Sequence, residues 1–214
     1  MDPQYVAFQQ AIIDTLRNPR YIDVLNFQLL SGNSSPDIHI YPNAYRGVAA
    51  AIEQGRINFD YVDAFDDPDQ LAAYDTVTNQ FVFLRSSVLN MDIGRSAVIH
   101  EATHAAIDRA GIGIHSRYLD ESAAYIAEAA VILHLEGRRR NTGRIRAEAQ
   151  RQARQLVIRH PRFQFTHDQL IPLIRAIEGN SLYAPTDDPV SRIYLSDTFD
   201  SNRWWDEKLG RRQQ

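Results

Sequence analysis

Two histidines four residues apart, with a glutamate directly after the first, lie in the segment SAVIHEATHAAID at residues 96–108. Side chains at positions i and i+4 share one face of a helix, so His100 and His104 present imidazoles that a single metal ion can bridge. Glu101 is rotated by about 100° from His100, which takes its carboxylate away from the metal but leaves it beside a metal-activated water. The spacing therefore predicts a metal site with Glu101 as the general base.

The alternative is that these three residues are core residues with ordinary hydrogen-bond partners. An HExxH sequence arises by chance in about 1% of chains of this composition, so the motif alone is suggestive rather than decisive. The flanking residues are apolar on nearly all sides of the helix, which predicts that the two histidines and the glutamate are buried or form the floor of a cleft. Three unpaired buried polar groups are costly, whereas one metal ion gives them a common partner, so we favour the metal site.

The composition favours a globular protein whose metal ligands are histidines and carboxylates. Hydrophobic residues make up 44% of the chain and charged residues 23%, with no apolar run long enough to cross a membrane. The sequence has no cysteine, which excludes thiolate metal sites and cysteine nucleophiles. The acidic, amphipathic first residues do not resemble a secretory signal. We expect a cytoplasmic protein, or one exported by a route without a conventional signal peptide.

The charge distribution argues against nucleic acid as a partner. The net charge is −4, and the one basic cluster, GRRRNTGRIR at residues 137–146, lies between two predicted helices. We interpret this cluster as a solvated helix end rather than a phosphate-binding patch. The expected partner is a peptide or protein substrate, with no role for a membrane, and the sequence does not indicate an oligomeric state.

The pattern of apolar residues predicts an α+β protein with one domain over residues 1–214. Residues 1–90 mix short helices with a small mixed sheet that includes a hairpin at 71–86, residues 91–180 are helical and carry the metal site, and residues 181–214 form an irregular tail. Asp92 is a plausible N-cap of the HEATH helix, and Gly111 a plausible end signal. Helices are predicted at 5–16, 44–55, 93–110, 120–136, 143–160 and from the Thr166 capping box to 179.

A third protein ligand is needed for a hydrolytic zinc site, and the sequence offers several candidates. Ile107 and Ala110 stand where a metzincin would have glycine and histidine, so that class is excluded. In the helix that follows, Glu121, Tyr125 and Glu128 share one stripe, but Glu121 and Glu128 are about 10.5 Å apart along the axis and cannot bind the same ion. His115, in the predicted loop between the two helices, is a further candidate.

The sequence HEATH followed by LDESAAYIAE resembles the gluzincin branch of zinc metallopeptidases over about residues 79–135. In that family a glutamate near the start of the next helix is the third zinc ligand, so the resemblance implies this role for Glu121 and a supporting role for Glu128. Tyr125 stands where thermolysin-like enzymes have an aspartate. The segment NQFVFLRS at 79–86 resembles the edge strand on which such enzymes lay an extended substrate. The resemblance implies a compact zincin-like fold, similar to the minigluzincins, with that strand above the active-site helix.

These observations predict a zinc-dependent hydrolase, most simply a peptidase, with one Zn²⁺ per chain. Glu101 would take a proton from the attacking water and return it to the leaving amine. Asp108 is a candidate acceptor for an imidazole N–H, or else a surface charge. The alternatives are a zinc-binding interaction module without catalysis, and a toxin or effector protease with one protein target. Candidates for the group that stabilises the transition-state oxyanion are Tyr125, His160, His167, Tyr183 and Tyr194.

Overall fold

A computed structural model describes residues 3–32, 36–65, 70–84, 92–136, 143–159, 163–180, 183 and 193–196. These residues form seven helices and eight short strands, which confirms the α+β class with a mainly helical second half. In chain order the elements are α1 (Pro3–Arg17), α2 (Pro19–Ile22), β1 (Phe27–Leu29), β2 (Ile38–Ile40), α3 (Pro42–Glu53), β3 (Asn58–Val62), β4 (Ala72–Asp75), β5 (Gln80–Leu84), α4 (Asp92–Ala110), β6 (Gly113–Ser116), α5 (Arg117–Glu136), α6 (Gly143–Arg159), β7 (Phe163–Phe165), α7 (His167–Glu178) and β8 (Ile193–Ser196).

The strands form three small sheets instead of the single sheet that we expected. In the first, β1 lies between β2, which is antiparallel to it, and β7, which is parallel. In the second, β5 lies between β3, which is parallel, and β4, which is antiparallel. The third pairs β6 with β8 in antiparallel orientation. The first two sheets are therefore mixed, as predicted.

The prediction of an edge strand at residues 79–86 is wrong for β5, the described part of that segment. The hairpin is present, with Asn79 at φ 51° in its turn, but β5 is the middle strand of its sheet because β3 pairs with its other side. Phe81 and Phe83 are buried, as expected for alternate residues on one face. That alternation predicts which face of a strand is buried, but it does not predict which edges are paired. The edge strand of this sheet beside the HEATH helix is β4.

Helix α5 is the centre of the helical half. Helices α4, α6 and α7 each pack against it, and it is buried along most of its length. Ala123, Ala127 and Ala130, spaced four and three residues apart, have no exposed surface. Alanine favours helix and leaves little bulk between helix axes, so neighbouring helices can approach closely. With alanines between the helices, polar side chains of α4 and α5 can reach one another.

Several element boundaries differ from the prediction. Helix α4 begins at Asp92 itself, and Gly111 follows its last residue with φ 59°, the left-handed conformation expected there. Helix α5 begins three residues earlier than predicted, and β6 occupies the predicted loop before it. The predicted irregular tail contributes β8. No helix among the described residues is long and apolar enough to cross a membrane.

Candidate metal centre

His100 and His104 of α4 and Glu121 of α5 form a buried group that could hold a metal ion. Glu121 Oε2 lies 3.7 Å from Nε2 of His100 and 3.8 Å from Nε2 of His104. One ligand atom from each residue lies within 4.8 Å of the others. Two ligands at bond lengths of about 2.0–2.1 Å in a tetrahedral site are roughly 3.4 Å apart. The two distances to Glu121 are therefore close to the separation of two ligands of a tetrahedral metal ion.

The carboxylate of Glu121 is the strongest sign that this group fits a cation. Only 5% of the residue is exposed, and among the described residues Oε2 has no hydrogen-bond partner. A buried carboxylate oxygen without a hydrogen bond is unfavourable, and a metal ion between Oε2 and the two imidazoles would give that oxygen a partner.

Two further carboxylates of α5 lie beside the opposite nitrogens of the imidazoles. Glu128 Oε2 is 3.3 Å from Nδ1 of His100, and Asp120 Oδ2 is 3.3 Å from Nδ1 of His104. When the imidazole is neutral, a carboxylate at Nδ1 favours the tautomer with the proton on that nitrogen, which leaves Nε2 to bind a metal. The sequence reasoning named Glu128 as a supporting acid but missed Asp120, because Asp120 lies off the stripe formed by Glu121 and Glu128.

The electrostatics favour a cation between the two helices. Burial lowers the pKa of His104, but the carboxylates of Asp120 and Glu121 outweigh this and raise it to about 9. Burial likewise lowers the pKa of His100, yet Glu121 and Glu128 raise it well above its ordinary value. Without a metal the carboxylates therefore hold protons on the imidazoles. A metal ion that binds there must displace those protons, and its positive charge then balances the carboxylates in their place.

Glu101 lies beside the metal group and lines the same cleft. The residue is 9% exposed, and burial raises the pKa of its carboxyl group, although the neighbouring histidines lower it. A carboxylate whose pKa lies above the usual value accepts a proton more readily, which suits a general base.

Tyr125 and Tyr183 form a hydroxyl pair next to His100. Their hydroxyl oxygens are 2.8 Å apart, and the ring of Tyr125 packs edge-on against the imidazole of His100 with centroids 4.6 Å apart. Burial raises the pKa of both phenols, so both keep their protons. One hydroxyl donates to the other, which leaves the second proton of the pair for another acceptor.

Two side-chain hydrogen bonds hold α4 against neighbouring elements. Thr103, inside the HEATH motif, contacts the hydroxyl of the buried Tyr45 in α3 at 2.8 Å. Asp108 accepts a hydrogen bond of 3.0 Å from Tyr74 in β4. Asp108 is only 2% exposed, so its interpretation as a surface charge is wrong. The carboxylate of Asp108 ties the edge strand β4 to α4. The acid beside Nδ1 of His104 is Asp120.

The metal group lies at one side of a cleft of about 620 Å³, a volume typical of ligand sites. Its walls are formed by α4, α5, the edge strand β4, the start of α6 and the end of α7. Most of the predicted site residues line it. They are His100, Glu101, His104, Glu121, Tyr125, Glu128 and Tyr183.

Other predicted candidates lie elsewhere or outside the described part of the chain. His167 begins α7, about 14 Å along the helix from Ala176, the residue of α7 that lines the cleft, so it is too far away to stabilise an oxyanion there. His115 belongs to β6 and Tyr194 to β8, and their side chains lie outside the described part, as does the whole of His160.

No protein-family model, curated protein or solved structure matches this chain.

Proposed function

We propose that this protein is a zinc-dependent peptidase of the gluzincin type with a zincin-like fold. His100, His104 and Glu121 would hold one Zn²⁺, since two imidazoles and one carboxylate form a ligand set that hydrolytic zinc sites use. Bound zinc lowers the pKa of water towards 7 and polarises a carbonyl group. The remaining chemistry belongs to side chains of this chain.

Glu101 is the proposed general base and, later, the general acid. Its carboxylate is buried beside the metal group and lines the cleft, so a substrate carbonyl and a water molecule can reach it. It takes the proton of the attacking water and delivers that proton to the nitrogen of the departing amine. A zinc module without catalysis has no need for a carboxylate in this position, which favours an enzyme over the interaction module.

The edge strand β4 carries the assignment of peptides as the substrate class. Its residues Ala72–Tyr74 line the same cleft as the metal group, and in its sheet it pairs with β5 on one side. Unpaired backbone groups at a sheet edge can bind an extended peptide as an additional strand. The hydrogen bond from Tyr74 to Asp108 fixes this edge against α4. An extended peptide on β4 would therefore lie alongside the metal and Glu101.

Tyr183 is the proposed donor to the oxygen that becomes negative in the transition state. Its hydroxyl group keeps its proton because burial raises its pKa, and it belongs to the pair that has one proton to spare. Tyr125 then supports Tyr183 and packs against His100. Donors held in place before the reaction lower the barrier because they do not need to reorganise.

The decisive experiment replaces Glu101 with glutamine in zinc-loaded protein. We expect Glu101→Gln to keep the metal within a few-fold of the parent affinity and to lower peptide hydrolysis by roughly 10²–10⁴-fold. Hydrolysis is measured on a mixed peptide library by mass spectrometry, and metal content by chelator titration. Glu53→Gln, the same change on the exposed surface of α3, is the control. Parent protein that cleaves no peptide, or a Glu101→Gln variant as fast as the parent, would contradict the proposal.

A further inference from the structure

The charged side chains around the cleft have an uneven arrangement. The three carboxylates that line it belong to the metal centre described above. Outside that centre, the charged residues among the described lining of the cleft are Arg117, Arg144 and Arg146. The two arginines of α6 come from the basic cluster that the sequence analysis interpreted as a solvated helix end. They line the cleft instead of only facing solvent.

The three arginines differ in how they are held. Arg146 Nε lies 3.7 Å from Oε1 of Glu128, whose other oxygen faces His100, so Arg146 supports the metal centre. The guanidinium of Arg117 lies 5.5 Å from the ring centroid of Tyr183, whose hydroxyl pairs with that of Tyr125. Arg144 is exposed in the first turn of α6, and among the described residues it forms no ion pair. Arg144 therefore has its charge available for a ligand in the cleft.

The balance of charge in the cleft is positive once a divalent ion is bound. The three lining carboxylates and the three arginines cancel, so the charge of the ion remains. The buried Asp120 behind His104 adds one negative charge, which lowers the net positive charge of the cleft but does not remove it. The chain as a whole has a net charge of −4, so the cleft has the opposite sign to the rest of the protein. A cleft of this kind concentrates anionic ligands and repels cationic ones.

We infer that the substrates are peptides with a carboxylate close to the scissile bond, that Arg144 binds this carboxylate, and that Arg117 adds to the positive charge of the cleft. The inference rests on the proposed peptidase function, and it names the substrate class for the same site. Arginine suits this role because its planar guanidinium can donate two parallel hydrogen bonds to one carboxylate. The carboxylate can come from an aspartate or glutamate side chain or from the C-terminus of a short peptide.

The test uses one alanine-rich octapeptide in three versions, with Glu, Gln or Lys at the same central position, each with a free or an amidated C-terminus. Binding to zinc-loaded Glu101→Gln protein is measured by fluorescence anisotropy, which does not require turnover. We expect the Glu version, the free C-terminus or both to bind about tenfold more tightly than the neutral counterpart, and the Lys version to bind more weakly. The design distinguishes a side-chain carboxylate from a C-terminal one, because the central residue and the C-terminal group are varied independently. The preference should decrease at high salt.

Two arginine variants and one control connect this preference to the cleft. Arg144→Gln should reduce the ratio of Glu to Gln affinity towards one, and Arg117→Gln should reduce it further. Arg154→Gln, also exposed on α6 but outside the cleft lining, should leave the ratio unchanged. Equal binding of all peptide versions, no binding of any version, or a preference that survives both cleft variants would overturn the inference. Selective binding by the Glu101→Gln protein without any cleavage by the parent would support the inference and contradict the peptidase function.

Discussion

The ligand role of Glu121 can be tested by replacing its carboxylate with an amide of the same size. Glu121→Gln keeps the shape of the side chain but removes the negative oxygen that lies 3.7 and 3.8 Å from the two Nε2 atoms. Neutral amides are poor zinc ligands compared with carboxylates and imidazoles. The variant should therefore keep its fold and lose most of its metal affinity.

The expected size of the loss follows from the total affinity of a zinc site. Zinc binding to a site with four protein ligands contributes about 10–16 kcal/mol, or roughly 2.5–4 kcal/mol for each ligand. A loss of that size corresponds to about 60- to 700-fold weaker binding. Glu128→Gln and Asp120→Asn each alter a carboxylate 3.3 Å from one Nδ1 and do not remove a ligand. Changes of that kind weaken metal binding by about 10- to 100-fold.

The comparison is made by competition for Zn²⁺ with a chromophoric chelator, using the parent and the three variants at one pH. Glu53→Gln serves as the control for an exposed carboxylate, and circular dichroism verifies that each variant is folded. The expected order of affinity is parent and control first, then Glu128→Gln and Asp120→Asn, and Glu121→Gln last. If Glu121→Gln binds zinc like the parent, or if Glu128→Gln loses more affinity than Glu121→Gln, the assignment of the third ligand is wrong.

Three further predictions follow from the buried site and its supports. Saturating zinc at about 100–1000 times its Kd should raise Tm by roughly 5–16 °C relative to EDTA-treated protein, and an unchanged Tm in a thermal scan would argue against a folded-state site. Zinc affinity should increase from pH 6 towards pH 9, by up to about tenfold per pH unit for each proton released. The reason is that His104, below its raised pKa of about 9, carries a proton that the metal must displace, and the pKa of His100 is raised as well. A zinc affinity that does not rise with pH in chelator competition would contradict this prediction. Tyr45→Phe removes the buried contact with Thr103 and should lower the free energy of unfolding by about 0.5–1.5 kcal/mol in urea, whereas the exposed Tyr41→Phe should have little effect.

The features that the sequence predicts well depend on residues close together in the chain. The i, i+4 spacing places His100 and His104 on one face of α4, and their rings are 5.1 Å apart. Gly111 ends that helix because the left-handed conformation is easiest for glycine. The capping box at Thr166 is present, since its N–H donates to Gln169 Oε1 at 2.8 Å. In each case the physical cause lies within one or two turns of chain.

The features that the sequence does not predict depend on distant partners. The choice between β4 and β5 as the edge strand is made by β3, which precedes the hairpin and pairs with β5. Strand β6 exists because β8, nearly 80 residues later, pairs with it. Arg144 and Arg146 reach the cleft because α6 packs back against α5. Local periodicity carries no information about such pairings.

The burial of so much charge between α4 and α5 is difficult to explain by stability alone. Two imidazoles and four carboxylates are each 9% exposed or less, at His100, Glu101, His104, Asp120, Glu121 and Glu128. Well-packed apolar side chains in place of buried ionic groups often leave a protein equally or more stable. The alanine-rich surfaces of both helices would accommodate such side chains, yet the ionic groups are arranged with both Nε2 atoms towards Glu121 and carboxylates at both Nδ1 atoms. This arrangement could hold a cation at one point between the two helices, which favours a metal centre over a protein core as the reason for the buried charge.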